Sequence, residues 1–201
     1  MPIPHLIHLG LRAPQVSPPF STPLETFPQN EIVGSVDTGT SMWNGVAQIF
    51  ALPIPQNFSF REKCYLAFRT VSPTIAGLTY RAGLYRETSP GRAVCLAKSR
   101  KITTNGTMYG DCWIRLDGSA DIHVNDKCYV AFTISMYNTG SMNMACRPTD
   151  YTYQAQHITS PNAFNADSQD SDWNEIGYGG WSSDKNIWFA LTNQEVGERL
   201  P

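Results

Sequence analysis

Charge is scarce in this sequence. Only 16 % of its 201 residues are Asp, Glu, Lys or Arg, and the net charge is −2. That excludes the basic excess or stripe by which nucleic-acid and anionic-membrane binders attract their partners. No apolar run approaches the ~20 residues needed to span a bilayer, so no membrane insertion is expected. The opening Met-Pro-Ile-Pro-His-Leu-Ile-His lacks the basic n-region and long apolar stretch of a secretory signal, and a reducing site of synthesis is expected. Cysteine is sparse too. The five (Cys64, Cys95, Cys112, Cys128, Cys146) are odd in number, widely spaced and free of Cys-x-x-Cys pairs. All but Cys95 sit among alternating apolar residues, where a thiol behaves as a small hydrophobe. Core thiols are therefore favoured over disulfides or metal ligands. A helical stripe is also missing throughout.

Proline is concentrated at the start. Seven of the fourteen prolines fall within residues 1–30, where only Arg12 and Glu25 are charged. Proline fixes φ, removes an N–H and pushes its predecessor to extended geometry, so neither a helix nor a central strand is expected there. Yet Ile3, Leu6, Ile7, Leu9, Leu11, Val16, Phe20, Leu24 and Phe27 set apolar teeth along it. An extended arm of this kind gains order in a groove. The adopted reading is an N-terminal docking arm, residues 1–40, laid on another subunit; the alternatives are a disordered tail or an arm folded back on its own domain. Residues 41–201 then form the body.

From about Gly45 the period is two. Cys112, Ile114 and Leu116 alternate with Trp113, Arg115 and Asp117; Cys128, Val130, Phe132 and Ile134 with Tyr129, Ala131, Thr133 and Ser135; Ile187, Phe189 and Leu191 with Trp188, Ala190 and Thr192. Such alternation marks half-buried antiparallel strands. Ser89-Pro90-Gly91, Asn105-Gly106, Asp117-Gly118, Asn125-Asp126 and Asn138-Thr139-Gly140 read as turns. Short strands with turns at this spacing predict an all-β fold, an antiparallel β-sandwich of jelly-roll type. Glu62-Lys-Cys-Tyr-Leu-Ala-Phe68 recurs as Asp126-Lys-Cys-Tyr-Val-Ala-Phe132, 64 residues on; equivalent strands in two facing sheets would need such similar packing. Residues 158–186 read as a long irregular loop, a length usually functional or disordered.

Chemistry is thinly represented. His5 and His8 lie in the arm without metal-ligand spacing, and His123 falls on the outward phase of a strand. Nucleophile elbows, phosphate-cradling glycine loops and His-Glu-x-x-His are all lacking. The run from Asp167 to Glu175 invites a calcium reading, but Glu175 stands where an EF-hand loop needs glycine and Trp181 where it needs glutamate. A solvated acidic loop is favoured, and no metal or cofactor is expected. Trp173, Tyr178 and Trp181, set among Asn, Asp, Ser and Gly, offer flat apolar faces with polar edges suited to stacking on sugar rings or on a protein. The competing reading is that these rings lid the sheet body, which their burial would stabilise by ~1.5–3 kcal/mol each.

One further pattern lies between Lys63 and Thr133. Cys64-Tyr-Leu-Ala-Phe-Arg-Thr70 leads to Thr79-Tyr-Arg-Ala-Gly-Leu-Tyr85, Ala93-Val-Cys-Leu-Ala-Lys-Ser99, Cys112-Trp-Ile-Arg-Leu116, Ile122-His-Val-Asn125 and Cys128-Tyr-Val-Ala-Phe132. This order resembles β-sandwich modules of tailed-bacteriophage virion proteins, especially tail-fibre and other appendage proteins. The resemblance covers about a third of the chain and is one of packing residues. It implies a non-enzymatic virion part, assembled in the bacterial cytoplasm, commonly trimeric, anchored by its N-terminal segment to other virion proteins. A short tail fibre or baseplate-attached appendage touching a host-surface glycan is the first expectation. A capsid cement or decoration protein is the second. A carbohydrate-binding module using Trp173, Tyr178 and Trp181 is the reading from another class.

Overall fold

The computed structural model describes residues 23–37, 47–71, 76–104, 110–135, 142–148, 153–157, 160–163, 166–179 and 185–200. Among these the chain is all-β, with two short 3-10 turns (Gln29–Glu31 and Asp170–Trp173) and no α-helix. The strands are β1 (Leu24–Glu25), β2 (Gly34–Asp37), β3 (Gln48–Leu52), β4 (Phe58–Phe60), β5 (Lys63–Thr70), β6 (Thr79–Ser89), β7 (Arg92–Lys98), β8 (Ile102–Thr103) and β9 (Gly110–Gly118). They continue as β10 (Ala120–Ile122), β11 (Cys128–Ile134), β12 (Asn143–Pro148), β13 (Tyr153–His157), β14 (Ser160–Ala163), β15 (Glu175–Gly179), β16 (Lys185–Ile187) and β17 (Phe189–Thr192). All but β4 and β10, which pair with each other, belong to one large antiparallel sheet whose main path runs β1-β17-β5-β9-β7-β15-β13-β3-β11-β6-β8, with β2, β12, β14 and β16 paired off this path.

The sheet rolls into a nearly closed, barrel-like form because β7 is a branch point. One edge of β7 carries β6; the other is shared, with β15 along Arg92–Val94 and β9 at Ala97–Lys98. The path β7-β15-β13-β3-β11-β6 therefore returns to β7. Closure of this kind removes exposed edges.

Two periods of alternation fill two cores. Phe68 on β5, Phe132 on β11, Tyr80 on β6 and Phe189 on β17 meet in the larger one. Ring centroids lie 5.5 Å apart for Phe68–Phe132, 5.8 Å for Phe68–Tyr80 and 5.6 Å for Phe132–Phe189. Such contacts add about 0.5–1.5 kcal/mol per pair beyond burial. The repeated heptapeptide thus supplies two strands, β5 and β11, that face each other across this core. The opposite faces of β3, β6, β7, β11 and β15 bury Ile49, Tyr85, Ala93, Ala131 and Ile176 around Trp173. β6 and β11 are covered on both sides, which is why small residues accompany the large ones. A Cβ at Gly83 would stand 2.7 Å from the Tyr85 ring and 3.3 Å from that of Trp173.

Two expectations are revised by these strands. Asp117-Gly118 is not a turn but the end of β9, where it pairs with Lys98 and Ala97. The glycine serves the branch point instead, since a Cβ there would lie 2.2 Å from the Leu96 carbonyl oxygen. Gly118→Ala is accordingly expected to destabilise by about 2–3 kcal/mol, as overpacking against backbone does; an unchanged denaturant midpoint would contradict this. Residues 158–186, expected as an irregular loop, contain β14, β15, β16 and a 3-10 turn. These strands are short and rich in glycine and polar residues, with single apolar anchors such as Ile176 and Ile187, so they carry too little alternation to be read. Val124 is exposed although Ile122 is fully buried, because the chain turns at Val124–Asn125, with Asn125 at φ 74°.

The first described residues belong to the sheet. Leu24 pairs with Leu191 and is buried in the larger core. Phe27 packs with Ala67, Trp188 and Ala190 on the outer face of β5 and β17, and the Arg147 guanidinium lies 4.5 Å over its ring. Thr26 Oγ1 donates to the Ile187 carbonyl at 2.8 Å and accepts from the Phe189 N–H at 3.0 Å. β2 continues this layer against β12. Pro23 precedes an edge strand, where a missing N–H is tolerated. The remaining docking residues expected in the arm, Ile3, Leu6, Ile7, Leu9, Leu11, Val16 and Phe20, lie outside the described residues.

Candidate functional site

Sequence reasoning offered Trp173, Tyr178 and Trp181 as one aromatic surface. Trp173 is fully buried. The Arg81 guanidinium lies 4.7 Å from its ring centroid, Gly83 approaches it from β6, and its carbonyl accepts from the Tyr85 hydroxyl at 2.8 Å. Its ring is thus a core element without a face for a ligand. Trp181 lies outside the described residues. Tyr178, on β15, is half-buried and meets three residues that the sequence did not single out.

These are Glu87 on β6, Lys127 just before β11, and Tyr129 on β11. The β6–β11 register sets Tyr129 opposite Tyr85, and the Glu87 N–H bonds the Lys127 carbonyl at 2.8 Å. The two tyrosine rings have centroids 4.9 Å apart. Glu87 Oε1 accepts from Lys127 Nζ at 2.9 Å. Its Oε2 accepts from the Tyr129 hydroxyl at 3.0 Å and from that of Tyr178. The Glu87 side chain is only 13 % exposed while Lys127 is 69 % exposed, so the carboxylate is held inside and the ammonium faces water.

The electrostatics follow from these contacts. The Tyr178 hydroxyl, then the Lys127 ammonium, hold the Glu87 carboxyl below the usual glutamate range. Burial first pushes both tyrosines above the usual phenol value, followed by the Tyr178 hydroxyl and Glu87 for Tyr129 and by Glu87 for Tyr178, where the Tyr129 hydroxyl acts in the opposite direction. Each group therefore moves away from neutrality, whereas general acid–base work needs a group poised near the operating pH. The constellation clamps β6, β11 and β15 together. Because the carboxyl is depressed in the folded chain, its contribution is full above the ordinary glutamate value of about 4.3. It is lost as pH falls through the lower folded value. Relative to Glu87→Gln, the parent's advantage in thermal midpoint is expected to shrink between pH 5 and about pH 3; a gap independent of pH would contradict the clamp.

A shallow groove of about 230 Å³ runs beside it, between residues 51–54 and 126–129. Its volume is below the ~300–1,000 Å³ of small-molecule sites.

No family model, curated protein or solved structure matches the chain.

The acidic run is tied down by cations. Asp167 accepts from Lys101 Nζ at 3.0 Å and from the Ser135 hydroxyl. Asp170 pairs with Arg81 and lies 3.6 Å from Lys98 Nζ, and Asp172 accepts from the Gln169 N–H at 3.0 Å. The bond from Arg81 holds the Asp170 carboxyl below the usual range. Among the described residues no three His, Cys, Asp or Glu side chains converge as a metal would require. The loop carboxylates pin the Trp173 turn onto the sheet. His123 is exposed; His5, His8 and the His157 side chain lie outside the described positions. All five cysteines are free. Burial pushes the thiols up, to about 11 for Cys95 and Cys112 and about 12 for Cys128, and such thiols are poor nucleophiles.

Proposed function

We propose that the chain is a non-enzymatic structural component of a tailed-phage virion, a short tail fibre or baseplate-attached appendage. Its body is a jelly-roll-like sandwich and residues 1–22 are its docking segment. The observation that carries the reading is where the resembling residues sit. Lys63–Thr133 carries β5, β6, β7, β9 and nearly all of β11, and the inward faces of these strands build about half of the larger core. The resembling residues thus meet in one core rather than lying on scattered strands. The self-neutralised Glu87 cluster and the high thiol pKa values favour a scaffold over a catalyst. The apolar teeth of residues 1–22 suit a groove on a neighbouring virion protein. A carbohydrate reading retains the narrower surface at Tyr178 and Tyr129.

Immunogold labelling of intact particles with antibody against residues 41–201 tests the proposal. Label confined to the tail or baseplate is expected. Label over the head would instead assign the chain to capsid cement, and particles without label would remove it from the virion.

A further inference from the structure

The segment after β17 makes a crossing that has no slack. β17, β5 and β9 are neighbours, with Thr192 opposite Tyr65 and Tyr65 opposite Arg115. Beyond them, on the far edge of β9, Arg199 bridges Trp113 through two backbone bonds of 2.9 Å. That antiparallel register sets Gly197 opposite Arg115. The chain must therefore travel from Thr192 across two strands to a third line, about 14 Å at ~4.8 Å per strand spacing. Five peptide steps at ~3.4 Å reach at most about 17 Å, and the path must also rise over the Tyr65 and Arg115 side chains. Gly197 ends the crossing at φ +73°, a left-handed turn that glycine adopts freely.

The far edge of β9 needs this strap. β7 covers it only at Asp117 and Gly118. What the strap brings is complementary in charge and shape. Glu195 pairs with Lys63 and accepts from the Tyr65 hydroxyl. Glu198 accepts from Arg100 Nη2 at 2.9 Å and from the Arg115 N–H at 3.3 Å, and Leu200 packs on the larger core. Within the crossing Gln194, Glu195 and Val196 are exposed; Asn193 Nδ2 donates to the Ser59 carbonyl at 2.9 Å and the Gln194 N–H to Thr192 Oγ1 at 3.2 Å.

We propose that this strap exchanges between copies of the chain, with Glu198–Leu200 of one copy lying on β9 of a neighbour. Every contact that the strap makes within its own chain is offered identically by a second copy. A short, taut hinge loop invites such exchange because opening it out relieves the crossing. A strand of another protein would have to reproduce the two glutamates and the apolar residue at the same spacing. The inference does not depend on the virion reading, since it is measured on the isolated chain.

Light scattering of the purified full chain over a range of concentrations tests it. Species at whole multiples of 22.4 kDa are expected to grow with concentration. Deleting Gln194 and Val196 leaves three steps, about 10 Å, too short for the crossing, and is expected to yield only the assembled form. Inserting Gly-Ser-Gly-Ser between Val196 and Gly197, or ending the chain at Asn193, is expected to yield only monomer. The insertion variant decides the matter should the deletion fail to fold. A folded, monomeric deletion variant would overturn the proposal. So would assembly that persists without the strap, or an assembled fraction that the insertion leaves unchanged.

Discussion

Replacing Trp173 by alanine is expected to destabilise the protein by about 3–5 kcal/mol. For a chain of this size that corresponds to a fall of roughly 6–20 °C in thermal midpoint, at 2–4 °C per kcal/mol. The ring is wholly buried and is the largest side chain of the smaller core. Its neighbours cannot collapse into the space it would leave. Ala93 and Ala131 are small and fixed on paired strands, Ala47 is small too, and Gly83 has no side chain to offer. Arg81 would lose the ring beneath its guanidinium while itself remaining 4 % exposed, and a buried cation stripped of a partner adds to the penalty. Tyr178→Ala, at a half-buried position, is expected to cost distinctly less. Scanning calorimetry of the two variants checks the order. A Trp173→Ala midpoint within 2 °C of the parent, a shift of roughly 1 kcal/mol or less, would mean that the ring is not a core element.

The second large effect concerns where the body begins. A chain lacking residues 1–22 is expected to keep the parent's midpoint. Adding Leu24→Ala and Phe27→Ala to it is expected to remove about 5 kcal/mol or more, from roughly 2–5 for the leucine and 3–5 for the phenylalanine. The two sit in different clusters, so their effects should add. Five kcal/mol is comparable with the whole stability of many domains. Truncation through residue 30 would therefore unfold much of the population, whereas truncation through residue 22 would not. Equal midpoints for the truncated chain and its doubly substituted form would contradict the placement of these residues in the body.

What could be read in advance follows from which faces are wet. β9, β11 and β17 were legible because buried apolar residues alternate with others along them, and the repeated heptapeptide marks β5 and β11, whose Phe68 and Phe132 rings meet in the larger core. The stretch from β13 to β15 gave no such signal. β15 sets Ile176 and Tyr178 among Gly177, Gly179 and Glu175, an alternation too short to read, and the stretch is joined to β3 and β7 by backbone pairing. The smaller core was hidden for the opposite reason. β6 and β11 are buried on both faces, so Ala131 and Gly83 read as an outward phase when they in fact make room for Trp173. Of the candidate aromatic surface, Tyr178 lies in the half-buried cluster and Trp173 in the core, while Trp181 lies outside the described residues. Glu87, Lys127 and Tyr129 join Tyr178 through the β6–β11 register, a long-range fact that no local spacing encodes. The one available signal was the outward phase of Tyr129 in the heptapeptide.

Incorporation into particles is the most direct test of the docking-segment account. Full-length chain and chain lacking residues 1–22 would be supplied together, distinguishably tagged, during particle assembly, and gradient-purified particles probed for both. The account predicts a folded, soluble truncated chain that stays out of particles carrying the full-length one. Equal incorporation of the two, or the absence of both, would contradict it.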